Sequence, residues 1–186
     1  VELVRDAKKK GIKVSGEVCP HHFTLTEDDI VAGDANYKMN PPLRAKEDVE
    51  ALKIGLRDGI MEVISTDHAP HTAEEKKKDL NHAPFGIVGT ETAAALTYTE
   101  LVQKGYLDPM GMAEKMSTNP ARILGIDKGD ISEGHIADIV IFDPRASYEI
   151  HAKDFASKGK NTPFEGREVT GRVVTTILDG QVVYRA

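Results

Sequence analysis

Apolar and polar residues recur with two different periods along this chain, and the change of period divides it. Val1 to Lys10 follows an amphipathic helical pattern that stops at Gly11, a common C-terminal stop. Ile12 to Val18 alternates with period two and predicts a strand. Cys19-Pro20-His21-His22 follows directly, which predicts two histidines in the loop at that strand's C-terminal end. Thr26 is the expected N-cap of a short helix over Glu27-Asp28-Asp29. Asn36 to Leu43 contains Asn40-Pro41-Pro42 and reads as an extended loop. A second amphipathic helix is predicted from Lys46 to Arg57, before Asp58-Gly59. Ile60 to Thr66 is the next strand, ending at Asp67-His68-Ala69-Pro70-His71, and a polar loop continues to Gly89. Helices are then expected over Glu91 to Gln103, over Pro109 to Ser117 and over Pro120 to Leu124. Asp108 caps the second of these, with Pro109 at its first position.

Near Gly129 the pattern becomes one of strands. Ala137 to Phe142 is a predicted strand, Tyr148-Glu149-Ile150 a second, and Val169 to Leu178 a long β-branched run. Asp179-Gly180 then turns the chain into Gln181-Val182-Val183-Tyr184, a strong hairpin signal. The expected organisation is therefore β/α units over residues 1–128 and part of a small antiparallel β domain over 129–186. A βα repeat with charged, histidine-bearing loops after its strands points to a barrel, where chemistry gathers at the C-terminal strand ends. Two strands cannot close one. The chain also opens inside a helical pattern without Met, so it reads as a fragment whose other strands precede Val1.

Composition narrows the function classes. With 24 basic against 30 acidic residues, a net charge of −6 and 5% aromatics, a nucleic-acid partner is disfavoured. Lys76-Lys77-Lys78, after Glu74-Glu75, reads as a solvated loop or helix end. One cysteine, Cys19, allows no intrachain disulfide and fits a reducing, cytoplasmic compartment. No apolar run approaches the roughly 20 residues needed to span a bilayer, and no membrane partner is expected.

Four segments carry candidate chemistry. Asp67 is placed where a compact, ionised carboxylate on a strand end can bind a metal and take a proton from metal-activated water. It reads equally as a turn-forming residue followed by surface histidines. One of His21 and His22 could reach a metal; a ring donating to a loop carbonyl is the structural alternative. Asn40 lies in a rigid Pro-containing loop and could pair with a planar amide, or merely shape the turn. The loop Ala83 to Glu91 could offer backbone groups beside Gly86 to a ligand, or only connect elements. No serine-hydrolase elbow, phosphate loop or dinucleotide fingerprint is present.

Taken together, Glu17-Val18-Cys19-Pro20-His21-His22, Tyr37 to Arg44, Ser65 to His71, Ala83 to Thr92 and Asn161-Thr162-Pro163-Phe164-Glu165-Gly166 resemble the C-terminal part of bacterial dihydroorotases of the amidohydrolase superfamily. The resemblance implies the C-terminal portion of a (β/α)8 TIM barrel followed by part of a small β-sandwich domain. The strands ending at Val18 and Thr66 would be the seventh and eighth of that barrel. It implies a zinc-dependent hydrolase with two Zn2+ per site in the full-length parent, interconverting dihydroorotate and N-carbamoyl-aspartate. Asp67 would be metal ligand and general base and acid, with Asn40, His71, Phe85 and Gly86 holding the substrate. No zinc role is carried onto His21 and His22.

The family's His-x-His pair, bridging ligand and two further metal histidines have no counterpart here. The chain alone is therefore expected to be inactive, and to need the missing N-terminal half or self-association to cover its exposed edges. Hydantoinase, dihydropyrimidinase or allantoinase chemistry is one alternative. An inactive scaffold for a partner such as aspartate carbamoyltransferase is another.

Overall fold

Two short parallel strands hold the first part of the molecule together. The structure, a computed structural model, describes residues 1–186. Helix α1 (Glu2–Lys9) leads to β1 (Glu17–Val18), α2 (Pro20–Thr24), α3 (Lys46–Arg57) and β2 (Val63–Ile64). β1 runs parallel to β2, with Glu17 opposite Val63 and Val18 opposite Ile64. Both strands are shorter than the runs that predict them, Ile12 to Val18 and Ile60 to Thr66. Pairing begins at Gly16, whose carbonyl accepts from Glu62 N at 2.9 Å and Val63 N at 3.2 Å, and residues 12–15 pair with no strand. Alternation marks which face is apolar; a ladder also requires a partner.

The histidines expected in a loop instead lie in α2, which starts at Pro20 directly after the strand. Proline suits the first helical position because its missing N–H would have no intrahelical acceptor there. Helix α3 has the predicted bounds. α4 (Ala73–Lys76) is a single turn closed by a reciprocal capping box between Thr72 and Glu75.

α5 (Ala93–Thr97) continues into a π turn over Tyr98–Val102. α6 (Pro109–Ala113), a π turn over Glu114–Thr118 and α7 (Asn119–Leu124) form one unbroken helical run, not the two helices expected. Pro120 sits inside that run just after the wide turn. The looser i→i+5 spacing accommodates a ring that would clash in regular α-helix.

The last third is an antiparallel sheet of order β3-β4-β5, formed by β3 (Ile139–Glu149), β4 (Glu168–Leu178) and β5 (Gln181–Arg185). The two strands predicted over 137–150 are one strand. Its pairing with β4 shifts register between Ile141 and Phe142, and again between Asp143 and Ser147. Pro144 falls in the second shift, on an edge strand where a missing donor is tolerated. Asp179 and Gly180 take φ of 49° and 73° and close the β4–β5 hairpin, the backbone that an Asp-Gly turn favours.

Two apolar clusters organise the interior. One joins Val18, Phe23, Leu56, Met61, Ile64 and Leu101 around the parallel pair. The other gathers Met39, Leu43, Ile87 and Leu96 from before Gly129 with Ile150, Phe164 and Val169 from after it. Each fully buried Leu or Phe stabilises by about 1.5–3 kcal/mol, so the sheet is held to the loops preceding it. Glu100, in the π turn, adds a buried polar tie, bonding Lys53 Nζ at 3.1 Å and the Arg167 guanidinium at 2.9 Å.

Candidate functional site

β2 delivers Asp67 to its C-terminal end with φ +49°. Aspartate adopts this left-handed backbone more readily than most residues, as Asp179 does at the same φ in the β4–β5 hairpin, and here it turns the chain sharply after the strand. The Asp67 side chain is exposed and engages no hydrogen-bond donor or cation of the chain. The next residues turn back immediately. His68 bridges to Ile87, and Ala69 N donates to Ile87 O at 2.9 Å. His68 Nδ1 accepts from Gly89 N at 3.1 Å, which places the ring's proton on Nε2 while the side chain is neutral.

The loop 83–89 is tied down from several directions. His71 Nε2–H donates to Phe85 O at 2.9 Å, leaving Nδ1 3.8 Å from the Glu75 carboxylate. Gly86 N donates to Lys38 O at 2.9 Å. Gly86 O accepts from Lys76 Nζ at 3.0 Å and Asn161 Nδ2 at 3.1 Å. Gly86 has φ +107°, and a Cβ there would lie 2.5 Å from Ala69 Cβ, so only glycine lets the two loops approach. Gly86 is buried with both backbone groups engaged inside the chain, whereas Phe85 presents its exposed ring to solvent.

Asn40 is exposed on the neighbouring loop, at a cis Asn40–Pro41 bond. The loop is fixed on both sides of it. Lys38 Nζ donates to Ala83 O at 2.7 Å and stands 4.4 Å from the centre of the Phe85 ring, while His22 Nε2–H donates to Pro41 O at 2.8 Å. The structure thus brings the Asn40 loop, His71 and Phe85-Gly86 into one network, with Asp67 two residues from its edge.

Two members of that network, Lys76 and Asn161, stand in segments named from the sequence but were given no role at the site. Lys76 is not solvated as the basic run suggested; it is buried, and its Nζ donates to Pro84 O at 3.1 Å as well as to Gly86 O. Burial lowers its pKa. The capping box Thr72-x-x-Glu75 was the available signal, because it fixes the turn that directs Lys76 inward. Asn161 comes from the far segment Asn161-Thr162-Pro163-Phe164. Its Oδ1 accepts from His71 N at 2.9 Å, its Nδ2 donates to Ala69 O at 2.9 Å, and its backbone O accepts from Val88 N at 2.9 Å. No local pattern announces that reach.

Beside the network, Cys19, His21 and His22 place one donor atom each within 4.8 Å of one another. Burial pushes the Cys19 thiol up to about 11, with the charges of Asp67 and Glu17 adding to the rise and the Ser65 hydrogen bond opposing it. Burial also takes His21 down to about 3, assisted by His22. No helix is long and apolar enough to cross a membrane.

Comparison with known proteins gives the family and the fold. The amidohydrolase family model matches residues 3–183. The dihydroorotase of Pelotomaculum thermopropionicum is 52% identical over 183 residues, covering 98% of this chain and 43% of that protein. The dihydroorotase of Endomicrobium trichonymphae is 50% identical over 186 residues, 100% of this chain and 44% of that protein. The chain therefore spans less than half the length of these relatives. Among solved structures, the dihydropyrimidinase of Brevibacillus agri superposes with a TM-score of 0.93 at 30% identity, over 99% of this chain and 42% of that one. The L-hydantoinase of Arthrobacter aurescens gives a TM-score of 0.90 at 33% identity, with the same coverage of both chains. The fold expected from the sequence stands: it is the C-terminal portion of a (β/α)8 barrel followed by part of a small β domain. The chain belongs to the amidohydrolase family.

Proposed function

We propose that this chain supplies the last-strand side of the active site of a zinc-dependent dihydroorotase, with residues 1–128 as barrel and 129–186 as part of the small domain. The observation that carries the reading is Asp67, an exposed and unpaired carboxylate at a strand's C-terminal end in left-handed backbone. The dihydroorotase names of relatives near 50% identity support it.

Asp67 fits a metal as one donor, since its oxygens are free of other partners. A catalytic zinc takes about three protein ligands, so the rest would come from the portion that the longer relatives carry in addition. Zinc, when bound, polarises the ring amide and lowers the pKa of water. The chain's own groups do the remaining work. Water adds to the ring carbonyl carbon of dihydroorotate, and the Asp67 carboxylate takes its proton and passes it to the ring nitrogen as the C–N bond breaks. The product is N-carbamoyl-aspartate, and the reverse direction uses the same atoms. Asn40 addresses the ring amide and His71 the substrate carboxylate. Phe85 presents its exposed face, and Gly86 sets the shape of that loop. The setting is pyrimidine biosynthesis in the cytoplasm, with aspartate carbamoyltransferase as a candidate partner.

The test is Asp67→Asn in the complete enzyme. Turnover of dihydroorotate should fall by about 10²–10⁴-fold, and unchanged turnover overturns the reading. The 186-residue chain supplied with zinc should not turn over. The likeness to hydantoinase and dihydropyrimidinase structures favours one second reading, a cyclic amidohydrolase of that type. Comparing dihydroorotate, hydantoin and allantoin with the complete enzyme decides between them.

A further inference from the structure

We propose that Cys19, His21 and His22 form a second metal site, separate from Asp67, that binds one borderline-soft divalent cation of the zinc class. The three residues lie at the junction of β1 and α2, where the helix starts directly on the strand and brings neighbouring side chains together. Their donor atoms lie within 4.8 Å of one another, and the two imidazole centroids are 4.2 Å apart. Zn–S and Zn–N bonds of about 2.3 Å and about 2.1 Å require donors about 3.5 Å apart, so side-chain rotations of about 1 Å would close the site.

Three independent features point to a cation and not merely to proximity. His21 is 2% exposed, and its Nε2 is buried without a hydrogen-bond partner. A buried ring nitrogen left unpaired is costly, and such groups in a folded protein call for an occupant. His22 donates its Nε2–H to Pro41 O at 2.8 Å, which fixes the tautomer and leaves the Nδ1 lone pair free. Metal-binding histidines are oriented in this way, by a carbonyl on the other ring nitrogen. Finally, Cys19 is a free, buried thiol whose Sγ has one long contact, 3.7 Å to Ser65 Oγ. Binding releases the thiol proton to solvent and involves no redox change. A thiolate with two imidazoles suits zinc or cobalt, with a fourth position for water.

The probe is Co2+, added to the metal-free 186-residue chain and followed by the near-ultraviolet thiolate-to-cobalt charge-transfer band. One Co2+ per chain should produce the band, and Zn2+ should displace it. Cys19→Ser should abolish it. His21→Gln and His22→Gln should each weaken the affinity about tenfold or more. Far-ultraviolet circular dichroism checks that each variant folds; should His21→Gln not fold, His22→Gln decides, because its ring is only half-buried. Asp67→Asn should leave the band in place. The two proposals can thus fail separately, since that variant removes catalysis in the complete enzyme. Absence of the band at saturating Co2+ overturns the site, leaving His21 Nε2 to a buried water. A band titrating identically in the folded histidine variants overturns it as well, because the thiol would then bind cobalt without them.

Discussion

Two clusters of buried polar groups lie near the ends of β1 and β2, and they are built in opposite ways. Around Gly86, the Asn161 amide and the Lys76 ammonium meet backbone groups from two segments, 69–71 and 84–86, and both side chains use more than one bond. Around Cys19, His21 has an unpaired buried nitrogen and the thiol has only a long contact to Ser65. The first arrangement is scaffold: each group's desolvation is repaid by good partners, and the loops carrying Asn40, His71 and Phe85 are held in one register. The second forgoes that stabilisation. Natural proteins tolerate such deficits where a ligand supplies the missing partner.

If satisfied clusters hold the fold, breaking them should cost most, and Glu100 is the extreme case. Its carboxylate faces Lys53, Lys104 and Arg167, and Lys53 is itself buried. Glu100→Gln leaves the Lys53 charge without its partner, which predicts a loss of about 3–5 kcal/mol at neutral pH in urea unfolding. Burial pushes the Glu100 carboxyl up, but the bonds from Lys104 and Lys53 outweigh it, so its folded pKa lies below its ordinary value. The group's contribution is therefore full above the unfolded pKa of 4.5 and is lost as pH falls through the lower folded value. The variant should show a flatter acid limb than the wild type; parallel limbs would remove Glu100 from the explanation.

Asn161→Ala comes next. It deletes three side-chain bonds at 2.9, 2.9 and 3.1 Å and strands His71 N–H and Ala69 O, for an expected loss of about 2–4 kcal/mol. Hydrogen exchange should quicken at the amides of His71 and Val88 and not in the β4–β5 hairpin. Uniform acceleration would mean that Asn161 supports the whole fold and not these loops. Lys76→Met keeps the apolar stem and removes two bonds, so its cost should be smaller, about 1–3 kcal/mol. An unchanged unfolding midpoint would mean water replaces the ammonium without loss.

The same contrast explains what could be read from the chain. α1, α3 and the β4–β5 hairpin follow from local signals: Gly11, Asp58-Gly59 and Asp179-Gly180 act within a few residues of the elements they close. The π turns carried no such mark, because Pro120 reads as a helix start until the preceding turn is seen to widen. Asp67, Asn40, His71 and Phe85-Gly86 stood out as motifs. What joins most of them did not, since Asn161 acts across 75 to 92 residues of sequence. Reach of that kind is a property of topology, with no periodicity to betray it.

The smallest expected effect is also the sharpest test of the comparison. His21→Leu replaces a buried ring having an unpaired nitrogen by an apolar side chain. In a satisfied cluster such a change would cost several kcal/mol. Here the removed group was desolvated without compensation, so the loss of ring volume and the relief of that penalty should nearly cancel. Urea unfolding of the metal-free chain should shift by no more than about 1 kcal/mol in either direction. With Zn2+ in excess, the wild type should gain stability through linkage and the variant should gain less. A loss of several kcal/mol in the metal-free variant would show that His21 is already well satisfied, and the distinction between the two clusters would vanish.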